Sequence, residues 1–205
     1  MGVSIHYQGR INSINLLPVL VEEIGDIARS MGWPSVTLDD DWSIPADAEL
    51  TPGGTIRGHL GLKGIQITPH PDAEPMDLFF DSSGYLRSPI TMLMIINGTH
   101  NPENACVSMK TQFSSPETHI WVIGLLKYLK KRYISNLHVF DEGACWDTGD
   151  RQLLEEKMGI INRALQFLSS SISSGRMGDL SGLSAEEIAE RIEQLFKNRK
   201  WNFRA

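Results

Sequence analysis

The sequence predicts an α+β protein, in which helices pack on a mixed or mainly antiparallel sheet and an amphipathic C-terminal helix follows on a linker. Strand-like segments succeed one another between residues 62 and 87 with turns but no helix between them, as in an antiparallel sheet. Apolar side chains recur at helical spacings near 16–31 and on one face of 150–168, which indicates amphipathic helices. Ser115 and Pro116 open another helix, whose first half is apolar almost all round and is therefore expected to be buried on most sides. A stretch rich in Ser and Gly separates a last helical pattern from the rest of the chain.

The composition is that of a globular protein. The chain has 205 residues, of which 41% are hydrophobic and 21% charged, enough for one domain and a small appendage. No run approaches the ~20 apolar residues that span a bilayer, and the N-terminus lacks the layout of a secretory signal. Cys106 and Cys145 are too few for a disulfide scaffold or a four-cysteine zinc site. A net charge of −6 argues against general nucleic-acid binding. We therefore expect a soluble, acidic, cytoplasmic protein without membrane association.

The N-terminal residues predict a strand followed by a helix. Residues 3–8 alternate apolar and polar side chains, which is the period of a half-buried strand. The apolar side chains of 16–31 then follow a helical period, with Asn15 as the expected N-cap. Gly32 and Pro34 end this helix, because glycine suits the position after a helix and proline cannot continue one.

The middle of the chain predicts short strands joined by loops. A strand is expected at 35–38, and an irregular stretch follows over 39–55; loops of this length are often functional. Strands at 62–68 and 76–80 precede a turn and a hairpin partner at 85–87.

The next elements repeat the order strand, helix, strand. Residues 90–96 favour a strand, although their methionines and leucine keep a helix open. A strand is predicted over 105–113, then a helix, then a short strand at 137–140. The halves 3–38 and 105–140 are therefore both compatible with a split βαβ arrangement.

The last third of the chain divides into a loop, a helix, a linker and a second helix. Residues 141–150 predict a polar loop, with a short strand inside it left open, and Asp150 is the expected cap of the helix that follows. We divide the whole chain into a single α+β domain at 1–168, a linker rich in Ser and Gly at 169–183, and a C-terminal helix with a basic tail at 184–205.

The final helix is predicted to be a docking element. Ser184 and Glu187 have the spacing of a capping box at its start. Its apolar stripe consists of Ile188, Ile192, Leu195 and Phe196. The linker lets this stripe pack on its own domain, on a second copy or on another protein, so we expect a homo-oligomer or a protein partner. The basic residues at the C-terminus suit either a helix end or an anionic partner.

The first candidate site is the turn that leads into the second helix. Free N–H groups at a helix N-terminus favour an anion, and polar side chains surround this one. The candidate binding residues are Lys110, Thr111, Gln112, Ser114 and Ser115. Glu117 competes with an anion and the glycine pattern of a phosphate loop is missing, so a simple helix cap at Ser115 is the alternative.

The second candidate site is the acidic loop at 141–150. Its carboxylates suit a hard cation such as magnesium, or a general base. The candidate catalytic residues are Asp141, Glu142 and Asp147, joined by Lys110 and by His119 of the second helix, with Trp146 as a ligand-covering residue. No pair of histidines has the spacing of a zinc site on a helix. A solvated loop is the alternative.

The third candidate site is the glycine-rich segment at 57–64. Arg57 and His59 lie between glycines, which let a backbone approach a ligand closely. A glycine-bent edge strand is the alternative.

We interpret the chain as a binding or regulatory module whose ligand surface combines 39–61, 110–119 and 141–150, and whose C-terminal helix docks on itself or on a partner. The alternative is a hydrolase or phosphoryl-handling enzyme, with magnesium as a candidate cofactor, in which Lys110, His119 and the acidic loop share one cleft. Both interpretations require these distant segments to meet on one side of the fold.

Overall fold

A computed structural model of the chain describes residues 3–176 and 178–197. These residues form an α+β protein with six helices and antiparallel sheets, as predicted. The chain divides into two compact units, residues 1–158 and 159–205. Within the described ranges, no helix is both long and apolar enough to cross a membrane.

The strands all belong to the first unit. They are β1 Ser4–Gln8, β2 Ser35–Asp39, β3 Glu49–Leu50, β4 Ile56–Arg57, β5 Lys63–Ile67, β6 Met76–Phe80, β7 Leu86–Arg87, β8 Val107–Lys110 and β9 His138–Asp141. The helices are α1 Leu17–Met31, α2 Pro89–Ile96, α3 Pro116–Arg132, α4 Cys145–Thr148, α5 Arg151–Ser173 and α6 Ala185–Lys197. Helix α5 begins in the first unit and ends in the second.

The three-stranded sheet contains one of the expected split βαβ units. β1 lies between β8 and β9 and pairs antiparallel with both. β8 and β9 are therefore parallel to each other, and α3 connects them, so residues 105–140 form the predicted arrangement. Residues 3–38 do not, because β2 pairs with β5 and lies in a different sheet from β1.

The four-stranded sheet has the order β2-β5-β6-β7, with every pair antiparallel. Its central strand β6 is buried along its whole length. Helix α1 packs on β5 and buries Leu20, Ile24 and Ala28. The Tyr7 hydroxyl donates a hydrogen bond to the Asp77 carbonyl at 2.8 Å and so joins β1 to β6. The core of the first unit therefore draws on both sheets and on α1.

Two local expectations are corrected. Residues 90–96 are helical, because the Ser88 hydroxyl caps the Thr91 N–H at 3.0 Å and Pro89 takes the first helical position. Asn15 does not cap α1; a 3-10 turn at Ile14–Leu16 precedes this helix, and Ser13 caps that turn instead.

The other expected caps are confirmed. The Ser115 hydroxyl accepts from the Thr118 N–H at 3.3 Å, and the Asp150 carboxylate accepts from the Leu153 N–H at 3.1 Å. The capping box of α6 is complete. Each of these caps satisfies an N–H that has no partner inside its own helix.

The linker boundary also moves. α5 continues through Ser173, so the first five residues of the predicted linker at 169–183 are helical. Serine is tolerated there because its hydroxyl bonds back one turn, as Ser170 does to the Phe167 carbonyl at 2.9 Å. The loop 141–150 likewise contains the short helix α4 where a strand had been left open.

Candidate functional site

β2 presents an open edge to solvent. The Thr68 N–H donates to the Pro34 carbonyl, and the Asp40 N–H donates to the Leu62 carbonyl. In an antiparallel ladder every second residue of a strand forms such bonds with its neighbour, and the residues between point the other way. The N–H and C=O groups of Val36 and Leu38 therefore point to β5. Those of the intervening residues, Ser35, Thr37 and Asp39, point away from the sheet, and the described residues offer them no backbone partner. A strand of five residues thus ends the sheet with alternate backbone groups free.

Two other sheet edges, those of β8 and β7, are closed, unlike the edge of β2. On the outer side of β8, Glu74 accepts from the Lys110 N–H at 2.8 Å and donates its own N–H to the Lys110 carbonyl at 2.9 Å. β7 has two residues, and the Leu86 N–H donates to the Gly9 carbonyl at 3.0 Å. Natural edge strands are usually blunted in such ways, whereas β2 leaves even the apolar Val36 57% exposed.

A groove lies beside this open edge, between α1 and β2. Its volume is about 540 Å³. Its main lining residues are Leu17, Val21 and Glu22 of α1, Thr37 and Leu38 of β2, and Trp42. A second concavity of about 600 Å³ shares Val21, Glu22 and Thr37 with it and extends to Trp33. The two together follow the helix and the strand along their common length.

Trp42 is held in place as one wall of the groove. Its indole Nε1–H donates to the Gly61 carbonyl at 2.9 Å. The Lys63 ammonium lies 5.2 Å from the centre of the Trp42 ring and 2.7 Å from Asp39 Oδ1. The wall is therefore a fixed aromatic surface beside a neutralised ion pair.

The groove has an acidic border. Lys63 pairs with Asp39, and Arg29 pairs with Asp26 at 2.6 Å. Glu22, Asp40 and Asp41 have no ion-pair partner among the described residues. The Asp40 carboxylate accepts the Leu62 N–H at 3.1 Å. The backbone N–H and hydroxyl of Ser43 lower the pKa of Asp41, so this carboxylate stays ionised.

The predicted catalytic residues His119 and Asp141 meet, but in a sealed interior. His119 Nδ1 lies 2.7 Å from the Thr111 hydroxyl, and Nε2 lies 3.1 Å from Asp141 Oδ1. Both side chains are fully buried. A Cβ on Gly143 would lie 2.9 Å from the ring, so only glycine leaves room there.

Asp141 organises the acidic loop. Its Oδ1 accepts the Gly143 N–H at 2.7 Å and its Oδ2 accepts the Trp146 N–H at 2.9 Å. Burial by itself raises the pKa of Asp141, but the His119 ring and these two N–H groups outweigh it, and the net pKa is lowered. The carboxylate is thus fully engaged in holding the loop on α3.

The other predicted catalytic residues lie outside this contact. The Lys110 ammonium sits over the Phe113 ring, 5.4 Å from its centre, and no ion pair joins Lys110 to an acid within the described ranges. Glu142 Oε2 accepts the Ser4 N–H at 2.8 Å. Asp147 is exposed on α4. In the part of the chain that the structure describes, no three acidic, histidine or cysteine side chains are placed to hold a metal.

The predicted binding residues of the 110–119 turn are used structurally. The Gln112 side chain accepts from the Val3 N–H at 3.0 Å and donates to the Met158 carbonyl at 3.2 Å. The Ser114 hydroxyl donates to the Thr111 carbonyl at 2.8 Å. Together with the Ser115 cap, these bonds support the helix-cap alternative at this turn.

The 39–61 segment does not join the other two. No hydrogen bond or ion pair of the described residues connects it to 110–119 or to 141–150. Arg57 is exposed on β4, and the His59 N–H donates to Asp47 Oδ1 at 2.8 Å. The Trp146 ring lies 5.6 Å from the ammonium groups of both Lys127 and Lys130. Of the three segments expected to share one surface, only 110–119 and 141–150 are in contact among the described residues, through His119 and Asp141.

The predicted docking residues lie on α6. Ile188, Ile192 and Leu195 are half-buried, and the side chain of Phe196 lies outside the described residues. Sequence reasoning missed the β2 edge because the local pattern identifies the strand but not its place in the sheet. Val36 between the polar residues Ser35 and Thr37 fits a strand with one solvated face, but its exposure is visible only in the structure.

Comparison with known proteins identifies no relative of this chain. No protein-family model matches the chain, and no significant match exists among curated proteins or solved structures.

Proposed function

We propose that this protein is a binding module that captures an extended segment of a partner protein by strand addition to β2. The observation that carries the proposal is the row of outward backbone groups on Ser35, Thr37 and Asp39 beside an open groove. In strand addition the backbone bonds supply affinity, and alternate side chains of the ligand enter pockets beside the strand. The groove between α1 and β2 receives those side chains.

The available contacts suit a reversible protein interaction. A backbone hydrogen bond contributes about 0.5–1.5 kcal/mol net, and burial of one large apolar side chain about 1.5–3 kcal/mol. About four to six such bonds and one or two such side chains, less the cost of association, correspond to a Kd on the order of micromolar.

The C-terminal helix is the second element of the proposed module. Ile188, Ile192 and Leu195 form one stripe on α6 and remain partly exposed. An amphipathic helix of this kind docks by its apolar face, here on a second copy of the chain or on a partner. We place the protein in the cytoplasm, because Cys106 and Cys145 are free thiols.

Replacing Thr37 by proline tests strand addition. The Thr37 N–H points away from β5, so Thr37→Pro removes a donor for the ligand without removing a bond of the β2–β5 ladder. The matched control Thr37→Val keeps the N–H. With an uncharged peptide of alternating Thr and Trp or Phe residues as the probe, we expect Thr37→Val to bind and Thr37→Pro to lose at least tenfold in affinity.

Amide hydrogen exchange locates the bound peptide. In the free protein the amides of Val36 and Leu38 are bonded to β5, so we expect them to exchange slowly, whereas the outward amide of Thr37 should exchange fast. Binding of the peptide should slow the exchange of the Thr37 amide. Equal affinity of the proline and valine variants, with Thr37 exchange unchanged by the peptide, would contradict strand addition.

A further inference from the structure

The charges around the groove specify what kind of segment it binds. Resting on the proposed strand addition, we infer that the partner segment is basic, with Lys or Arg alternating with aromatic or large aliphatic side chains. The inference depends on which charges of the groove are already paired and which are free.

The two cations at the groove are neutralised. Lys63 Nζ lies 2.7 Å from Asp39 Oδ1, and Arg29 Nη1 lies 2.6 Å from Asp26 Oδ1. Among the groove residues described, each cation that an acidic ligand would meet therefore already has a carboxylate partner. It would have to break one of these pairs before it gained a contact of its own.

The free charges are all negative. Glu22 lines both concavities and is exposed, and Asp40 and Asp41 follow directly on β2. None of the three has an ion-pair partner in the described part of the chain. Five carboxylates (Glu22, Asp26, Asp39, Asp40 and Asp41) against two cations leave the border with a net charge of −3. Such a surface attracts cationic segments and repels acidic ones.

The apolar part of the specificity comes from the groove floor. Leu17 is buried, while Val21, Leu38 and Trp42 are half-buried and open to the groove. Ile14 at its end is 37% exposed. A ligand strand turns every second side chain to the same face, so aromatic or aliphatic residues at alternate positions reach this floor. The residues between them turn to the opposite face of the sheet, so the acidic border acts on their charges through its electrostatic field and not by direct contact.

Three peptides with one backbone pattern test the inference. Each carries the same Trp and Phe residues, and the residues between them are all Lys, all Thr or all Glu. By fluorescence anisotropy at low salt we expect the Lys peptide to bind about tenfold tighter than the Glu peptide, with the Thr peptide between them. The difference should shrink in 0.5 M NaCl, because salt screens exposed charges.

A charge reversal assigns the effect to the groove. Glu22→Lys should weaken the Lys peptide and strengthen the Glu peptide. Glu103→Lys is the matched control; Glu103 is exposed and does not line the groove, so the same change in net charge there should leave the ranking intact. Both sites are exposed, and thermal unfolding confirms that the variants fold.

The outcomes separate this inference from strand addition itself. Equal binding of the three peptides, lost in Thr37→Pro, overturns the basic preference and leaves strand addition standing. A preference for the Lys peptide that Glu22→Lys and Glu103→Lys alter equally shows that overall charge sets it, and overturns the assignment to the groove. Binding of the three peptides that Thr37→Pro does not weaken overturns both proposals.

Discussion

At the scale of single residues, Thr111, His119 and Asp141 form a buried polar cluster. All three side chains lie in the interior, and the carboxylate accepts two backbone N–H groups of its own loop. A histidine in contact with a carboxylate can perform acid–base chemistry, but that chemistry requires access for a substrate. Here Gly143 packs directly against the ring and the carboxylate. The contact therefore joins β9 to α3 and holds the acidic loop.

Asp141→Asn tests this structural role through the pH dependence of stability. The folded pKa of Asp141 is lowered below that of the unfolded chain. Its contribution is therefore present above the unfolded pKa and is lost as the pH falls through the folded pKa. We expect the variant to lose about 1.5–3 kcal/mol of unfolding free energy at pH 7, since Asn cannot accept both N–H groups with a charge.

Urea unfolding at neutral and acidic pH provides the measurement. The deficit of Asp141→Asn relative to the parent should shrink as the pH is lowered through the acidic range. Asp147→Asn is the control, because Asp147 is exposed on α4. A deficit that stays constant with pH would mean that the charge of Asp141 does not contribute.

At the scale of elements, α1 and α3 are joined by a polar cluster centred on Glu23. Its Oε2 accepts hydrogen bonds from the hydroxyls of Tyr128 at 2.7 Å and Tyr133 at 2.5 Å. Its Oε1 accepts from Arg132 Nη2 at 2.6 Å. One side chain of α1 thus gathers three side chains of α3 and of the residue after it. The cluster fixes α1, which forms one wall of the groove.

Glu23→Gln should weaken this connection. The hydroxyls of Tyr128 and Tyr133 lower the pKa of Glu23, so its contribution is present above the unfolded pKa and disappears as the pH falls through the folded pKa. We expect a lower melting temperature at pH 7 and no difference at a pH where Glu23 is protonated. Glu22→Gln, one residue along and without these partners, serves as the control; an equal loss in both would contradict the role of the cluster.

The elements show what local sequence encodes here. Caps at Ser115 and Asp150 and the box of Ser184 and Glu187 were predictable, because each depends on residues three positions apart. Residues 90–96 were ambiguous, because a short apolar run fits a strand or a buried helix equally well. The Ser88 cap decided that case.

The candidate site was harder to predict for a physical reason. The sequence indicated a strand at 35–38, but whether it lies at an edge depends on β5, which pairs with one side only. In the same way, the residue types of His119 and Asp141 indicated chemistry, while their burial depends on Gly143 and Leu154 packing around them. Pairing and burial arise between distant segments, and no local period records them.

At the scale of the whole molecule, charge is unevenly distributed along the chain. Residues 1–50 carry eight acids and two bases, a local net charge of −6, and this part contributes α1 and β2. The uncompensated carboxylates of the groove belong to it. The acidic balance of the chain is therefore concentrated on one surface, and such a surface attracts cationic segments and repels acidic ones.

The second unit carries the last prediction, which concerns the assembly of the chain. Ile188 and Ile192 lie one turn apart on the apolar stripe of α6 and are only half-buried. If this stripe docks on a second copy, replacing both by aspartate should remove the contact, since a carboxylate in an apolar interface loses its hydration without gaining a partner. We expect the full chain to sediment as an oligomer and the double variant as a monomer. Ala189→Asp, at an exposed position of α6, should leave the sedimentation mass unchanged.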